Sequence, residues 1–165
     1  MIALASSKVI SESLQEVRAL SKSLNTDVIL NAGFEDSIQN ELNRLKRMKL
    51  MEVELTSEGD KGICRNNKDA IILFRIMQEF MSNSVKYSKA KHLEIHLIYT
   101  EEELKIQASD DGVGFDIETV KNGAGLINMK NRAALIESTF SLTSKPNEGV
   151  KLQISYPKSK RAVLN

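Results

Sequence analysis

The sequence predicts an α+β fold, a two-layer α/β sandwich in which one sheet carries helices on one face. Three observations predict it. Short stretches with apolar residues at every second position are interspersed with stretches that repeat every three or four, the two periods that half-buried strands and helices impose. From residue 50 these stretches run strand, helix, two strands, helix, two strands. With 165 residues and 41% hydrophobic content, the chain can bury a core, and it suits one domain or one domain with an appendage.

The appendage comes first. From Ser6 to Leu24, Ile10, Leu14, Val17 and Leu24 recur at steps of four, three and seven, a narrow apolar seam of the kind that wants another helix. Gly33 interrupts, and Phe34, Ile38, Leu42 and Leu45 then predict a second helix, or a continuation, to about Lys49. Two ordinary amphipathic helices lying on the following domain would produce the same pattern. Met51, Val53 and Leu55, alternating with glutamates, predict a strand, with turn residues in "SEGDKG". Residues 68–87 read as a long helix with Ile72, Ile76 and Phe80 on one face. Leu93, Ile95, Leu97 and Tyr99, then Leu104, Ile106 and Ala108, predict two strands with a hairpin connection at "TEEE". A third helix, "GLINMKNRAALIE", is predicted to follow Gly123 and Gly125. Phe140 and Leu142, then Val150, Leu152, Ile154 and Tyr156, make a last strand pair joined through "KPNEG", and "KSKRAVLN" reads as a frayed tail.

Composition excludes several partners. Lys+Arg 23 against Asp+Glu 22 gives a net charge of +1, so no bulk attraction to nucleic acid or to an anionic membrane is expected. The apolar run from Ala70 to Phe74 falls far short of the ~20 residues that a membrane span needs, and the opening "MIALAS" lacks a basic signal-peptide start. The lone Cys64 can form no internal disulfide, which fits a reducing, cytoplasmic setting.

Three stretches could carry chemistry. In "SDDGVGFD" a predicted strand runs into Asp110-Asp111-Gly112-Val113-Gly114, where an aspartate can accept a hydrogen bond and two glycines allow positive φ and close approach of a ligand. An acidic turn reads equally well, and a calcium loop is disfavoured because its alternating oxygen ligands are missing. In "NGAGLINMKNR" the glycines precede a helix whose first amides and positive dipole end could face an anion; common helix starts look the same. In "QEFMSNSVKYS", Glu79, Asn83 and Lys86 share one helical face, either as a site or as a solvated stripe.

Taken together, in order and spacing, the three stretches resemble the asparagine box and two glycine boxes of the ATP-binding catalytic domain of sensor histidine kinases. That domain has the Bergerat-type fold shared with gyrase, heat-shock chaperone and mismatch-repair ATPases. The resemblance covers about residues 50 to 157. "SLQEVRALSKSL" and "VILNAGFEDSIQNEL" further resemble the second dimerisation helix and connector of the subfamily that includes nitrate- and lipid-fluidity-sensing kinases. The implied division is a dimerisation helix and connector over 1–48, a catalytic domain over 49–158 and a tail over 159–165. A four-helix bundle built by two chains would explain the narrow seam.

The resemblance also implies roles. Asp110 would accept the exocyclic amino group of adenine, with Gly112 and Gly114 bending the backbone beside it. Asn83 would ligate Mg²⁺, Lys86 would neutralise phosphate, and Glu79 would polarise the attacking group or a water. Gly123, Gly125 and Leu126 would close over the polyphosphate, with Arg132 serving phosphate or holding the lid helix. The implied reaction moves the ATP γ-phosphoryl to a histidine, for relay to a response-regulator aspartate, within a homodimer.

Departures from the family pattern leave alternatives open. Val150 stands after Gly149, where the family usually has a threonine whose hydroxyl helps a water reach adenine; this is the best support for a non-catalytic nucleotide-binding interaction module. Asp111 stands where asparagine is usual, and is expected to add negative charge near the mouth of the site. Tyr87-Ser88 replaces the common His-Ala. The first dimerisation helix, with its phosphorylatable histidine, would precede Ala5, and the resemblance implies that it is absent from this chain. An anti-sigma-factor serine kinase shares the fold, but the helical seam argues against it. His92 and His96 fall on one side of a predicted strand and read as solvated residues without a role.

Overall fold

The computed structural model describes residues 31–60, 67–120 and 123–157. The seam residues Ile10 to Leu24, Cys64, and the tail at 159–165 lie outside the described residues. Two helical residues, Asn31 and Ala32, lead to Gly33, and the elements then follow in order. They are α1 (Phe34–Arg47), β1 (Glu52–Gly59), α2 (Asn67–Asn83), a π turn (Ser84–Ser88), β2 (His92–Tyr99) and β3 (Glu103–Asp110). A single helical turn, α3 (Ile117–Val120), precedes α4 (Ala124–Leu135), β4 (Thr139–Ser144) and β5 (Val150–Pro157).

The strands form one sheet in the order β1-β2-β3-β5-β4. β1 lies parallel to β2 through the α2 crossover, and the other neighbours are antiparallel. β1 runs on to Gly59, past the turn expected at "SEGDKG", because it pairs with β2 from Glu52↔His92 to Gly59↔Tyr99. At the β2–β3 turn Thr100 closes the hairpin, donating its backbone N–H to the Glu103 carbonyl at 2.9 Å and accepting the Glu103 N–H on Oγ1 at 3.1 Å. Period-two alternation becomes inward rows across the sheet: Leu55, Ile95, Ala108, Leu152 and Leu142 form one, and Leu97, Ile106, Ile154 and Phe140 another.

The helices cover that inward face. α1 has acidic residues Glu35 and Asp36 in its first turn and Arg44, Lys46 and Arg47 in its last, the arrangement its dipole favours. It ends in a Schellman motif: Lys49 takes φ 53, its N–H reaches the Lys46 carbonyl at 3.0 Å, and Leu50 N–H reaches the Leu45 carbonyl at 3.2 Å. Ile38, Leu42 and Leu45 are buried with Leu73, Ile76, Met77 and the strand residues in a single hydrophobic cluster. Glu35 adds a polar tie, accepting from Ser57 Oγ at 2.8 Å and from the Tyr99 hydroxyl at 3.3 Å. Among the described residues no helix is long and apolar enough to cross a membrane.

The helix predicted over 68–87 is α-helical only to Asn83. The turn widens there because Ser88 Oγ donates to the Ser84 carbonyl at 2.6 Å, and Lys89, in the left-handed region at φ 54, then ends the helix.

Because α1 shares the core of the sandwich, Leu42→Ala should destabilise the fold by about 2–5 kcal/mol, as truncation of a fully buried leucine does. Urea unfolding measures it; a loss below about 1 kcal/mol would mean that α1 packs only loosely on β1 and α2.

Candidate functional site

Period-two alternation along β3 puts Leu104, Ile106 and Ala108 inward, and it puts Asp110 inward too. In register, Asp110 lies in a row with Val53, Leu93, Val150 and Ser144, and it is 6% exposed. A carboxylate in such a place needs partners, since burying it unpaired costs several kcal/mol. It has two. Ser84 Oγ donates to Oδ2 at 2.6 Å, and the Gly112 N–H donates to Oδ1 at 2.9 Å. The π turn supplies Ser84, the first residue past the end of α2.

Asp110 forms part of the wall of a cavity of about 540 Å³ between the sheet, α2 with its π turn, and α4. Glu79, Asn83 and Ser84 line it from the helix side, and Phe80, Leu126, Met129, Leu142 and Val150 make its apolar surface. Tyr87 stands at the wall 72% exposed. A helical stack of polar residues, one apolar pocket and a buried carboxylate thus converge in one concave space, the form that small-molecule sites take.

Glycine lets the surrounding backbone close in. Gly114 adopts φ 56, and a Cβ there would lie 2.1 Å from the Lys145 carbonyl oxygen, so the loop after β3 can rest on the β4–β5 turn only without a side chain. Gly112 lacks positive φ, and its need is steric: a Cβ would lie 2.4 Å from the Ser88 carbonyl oxygen. The same carbonyl accepts the Val113 N–H at 2.7 Å. Ser144 Oγ closes the other side, donating to the Gly149 carbonyl at 2.8 Å and accepting the Phe115 N–H at 2.9 Å.

α4 begins one residue earlier than predicted, so Gly123 is its N-cap and Gly125 lies within its first turn. Both line the cavity. A Cβ on Gly125 would lie 2.6 Å from Oε1 of Glu79 and 3.3 Å from Nδ2 of Asn83, so the start of α4 touches the polar face of α2.

Of the residues singled out in the sequence, Glu79, Asn83, Asp110, Gly114, Gly123, Gly125 and Leu126 reach the cavity wall. Lys86, Gly112 and Arg132 do not. Lys86 is exposed on the π turn, and Gly112 packs behind the wall on Ser88. Arg132 is half-buried close to Arg75 of α2, whose guanidinium is pushed down by burial first and by the charge of Arg132 second. The expectation that Asp111 charges the mouth of the site is overturned. Its carboxylate turns to the start of β2, where Oδ1 accepts the Lys91 and His92 N–H groups at 2.7 and 2.9 Å and Oδ2 meets His92 Nδ1 at 2.7 Å. His92 therefore has a local structural partner, and His96, bonded to Thr56 Oγ1, lies on the open face of the sheet; neither lines the cavity.

Sequence reading missed Ser84. The available signals were an aspartate in the apolar phase of a strand and two serines four apart, Ser84 and Ser88, at the end of a helix that otherwise faces the core.

These features define an α/β sandwich with one polar-and-apolar cavity, and comparison with known proteins names its class. Residues 68–160 match the family described as histidine kinase-, DNA gyrase B-, and HSP90-like ATPase, and the chain belongs to that family. More particularly, it is 33% identical over 158 residues to the sensor protein VraS of Staphylococcus saprophyticus, across 93% of this chain and 44% of that protein. It is 28% identical over 151 residues to the signal transduction histidine-protein kinase/phosphatase DegS of Brevibacillus brevis, across 91% of this chain and 39% of that one. The chain spans less than half the length of either relative. Solved structures share the fold. A blue-light activated histidine kinase from Erythrobacter litoralis gives a TM-score of 0.70 at 12% identity, over 93% of this chain and 52% of that chain. The Acinetobacter baumannii histidine kinase AdeS gives 0.64 at 13% identity, over 92% and 84%.

The hydrogen bond from the His92 ring, helped by the His92 and Lys91 amides, holds the Asp111 carboxyl down to about 2. A carboxyl lowered in the folded state, against ~3.9 when unfolded, adds stability that is present above pH ~4 and lost as pH falls through about 2. Asp111→Asn keeps the two amide contacts and lacks the charge. Its stability deficit against wild type should shrink as pH falls from about 4 to about 2. Denaturant melts across that range measure it; a deficit that grows toward acid would contradict this account of Asp111.

Proposed function

We propose that this chain is the ATP-binding catalytic part of a sensor histidine kinase, which transfers the γ-phosphoryl of ATP to a histidine side chain for relay to an aspartate of a response regulator. The observation that carries this reading is the convergence of buried Asp110 with Glu79 and Asn83 on one cavity, in a chain of this ATPase family. Asp110 reads the base: its oxygens accept from the N6 amino group of adenine, whereas guanine presents a carbonyl there and would set acceptor against acceptor. Leu126, Met129 and Val150 receive the apolar faces of the base.

The polyphosphate lies toward the N-terminus of α4, where the first amides and the helix dipole favour anions and Gly125 brings that helix end close to Glu79 and Asn83. Lys86 approaches from the solvent side to neutralise phosphate charge, and Arg132, half-buried on α4, serves phosphate or holds the lid helix. Mg²⁺ fits the donor set: the Asn83 amide oxygen and the Glu79 carboxylate are hard oxygens one helical turn apart on the cavity wall, and this ion takes few protein ligands besides phosphate oxygens and water. When bound, it would offset charge on the phosphates. Asn83 would hold the ion, and Glu79 would polarise or orient the attacking group or a water. Rate enhancement comes mainly from positioning and charge neutralisation.

Neither His92 nor His96 reaches the cavity, so the phosphoryl acceptor is presented from another element. The relatives' names, a sensor protein and a signal transduction histidine-protein kinase/phosphatase, support this reading, and with it come a response-regulator partner, dimerisation and a cytoplasmic catalytic domain. Glu79 on the cavity wall favours catalysis over mere nucleotide sensing, which needs no such group.

Calorimetry with ATP and GTP tests the reading. Wild type should prefer ATP, and Asp110→Asn should weaken ATP binding by about tenfold or more, the worth of a hydrogen bond to a charged group. Asn83→Ala should remove most of the enhancement of ATP binding by Mg²⁺ while leaving metal-free ADP binding nearly unchanged. Equal affinity of wild type for ATP and GTP would contradict the assignment of Asp110; an unchanged Mg²⁺ titration in Asn83→Ala would place the ion elsewhere.

A further inference from the structure

We infer that Ser84 is a specificity-determining residue of the adenine pocket: its hydroxyl orients Asp110 and occupies one carboxylate oxygen with a donor from the helix side. The inference rests on the nucleotide reading above and deepens it.

Ser84 is 2% exposed at the cavity wall, and its hydroxyl proton is committed to Asp110 Oδ2 at 2.6 Å. With the Gly112 N–H on Oδ1 at 2.9 Å, the carboxylate is held by a donor on each oxygen, and each oxygen retains a lone pair for a ligand. The commitment of that proton is what gives selectivity. Ser84 Oγ and Asp110 Oδ2, side by side, both present acceptors, so the pocket rewards an amino group and offers no donor to the carbonyl of guanine.

The rest of the turn builds this arrangement in. Ser88 Oγ donates to the Ser84 carbonyl at 2.6 Å and accepts the Ala90 N–H at 3.0 Å, fixing the wide turn that aims Ser84 at the sheet. Ser88 also anchors the loop beyond Asp110 through the Val113 N–H. Across the pocket, Val150 is the direct partner of Asp110 in the β3–β5 ladder, 8% exposed and unable to hydrogen-bond through its side chain. A hydroxyl-bearing residue at 150 would stand beside the same carboxylate. A donor placed there could occupy the carboxylate from the sheet side, as Ser84 Oγ does from the helix side.

Removing the Ser84 hydroxyl frees Oδ2 to take a water, which can donate as well as accept and so can serve either base. The experiment is calorimetric titration of wild type, Ser84→Ala and Ser84→Ala/Val150→Thr with Mg-ATP and Mg-GTP. Ser84→Ala should lower the ATP-to-GTP affinity ratio about tenfold, and the double variant should return it to within about threefold of wild type. The ratio is taken within one protein, so a partly unfolded variant still reports it. An unchanged ratio in Ser84→Ala, including equal losses for both nucleotides, would overturn the inference by reducing Ser84 to a structural role. A double variant no better than Ser84→Ala would overturn the exchange of hydroxyls between positions 84 and 150. A wild type that binds ATP and GTP alike overturns the assignment of Asp110 itself, and this inference with it.

Discussion

A carboxylate on the inward face of a sheet is the constraint around which the rest of this domain is arranged. Asp110 continues the apolar phase of β3, in a row that otherwise holds valine, leucine and serine. Left unpaired there, it would cost several kcal/mol, a sizeable part of the stability of a domain of this size. The domain meets the demand with a helix that widens at its end to deliver Ser84, and with a loop that doubles back so the Gly112 amide can reach Oδ1. Both devices bring backbone against backbone, which explains the glycines better than flexibility does. A side chain at 112, 114 or 149 would lie within 2.4 Å of a carbonyl oxygen.

The same closeness joins parts of the chain that are far apart in sequence. The end of α2 and its π turn, the loop after β3 and the β4–β5 turn are bonded in series through Ser88, Val113, Asn147, Ser144 and Phe115. The opposite wall is made differently. The start of α4 reaches α2 through the space beside Gly125, without a side-chain cap, and α4 is then closed at its C-terminus by a Schellman motif at Glu137, with Ser138 N–H on the Ala133 carbonyl at 3.0 Å. One wall of the cavity is thus cross-linked, and the other is a helix end whose first amides remain open to a ligand.

Much of this was legible in the sequence, and the rest failed for identifiable reasons. The order of elements and the core residues follow from periodicity, because burial of one face sets the period whatever the details. β1 was read too short because "SEG" is turn chemistry locally, while eight parallel partners on β2 hold it extended. A resemblance carries register, and Asp110, Asn83 and Glu79, matched by it, line one cavity. It misplaced Asp111, whose partner is a histidine at the start of another strand, a pairing that depends on sheet register. In sequence Ser84 reads only as a weak helix former, and only the register of the π turn against β3 shows what it bonds.

The central claim is that the Asp110 pocket holds adenine while the start of α4 faces phosphate. A crystal structure of the chain with Mg²⁺ and a non-hydrolysable ATP analogue tests it most directly. The account predicts the adenine amino group within hydrogen-bond distance of Asp110, the ion at Asn83 and the phosphates beside Gly123 and Gly125. A nucleotide ordered elsewhere on the domain, or seated with its base away from Asp110, would contradict it.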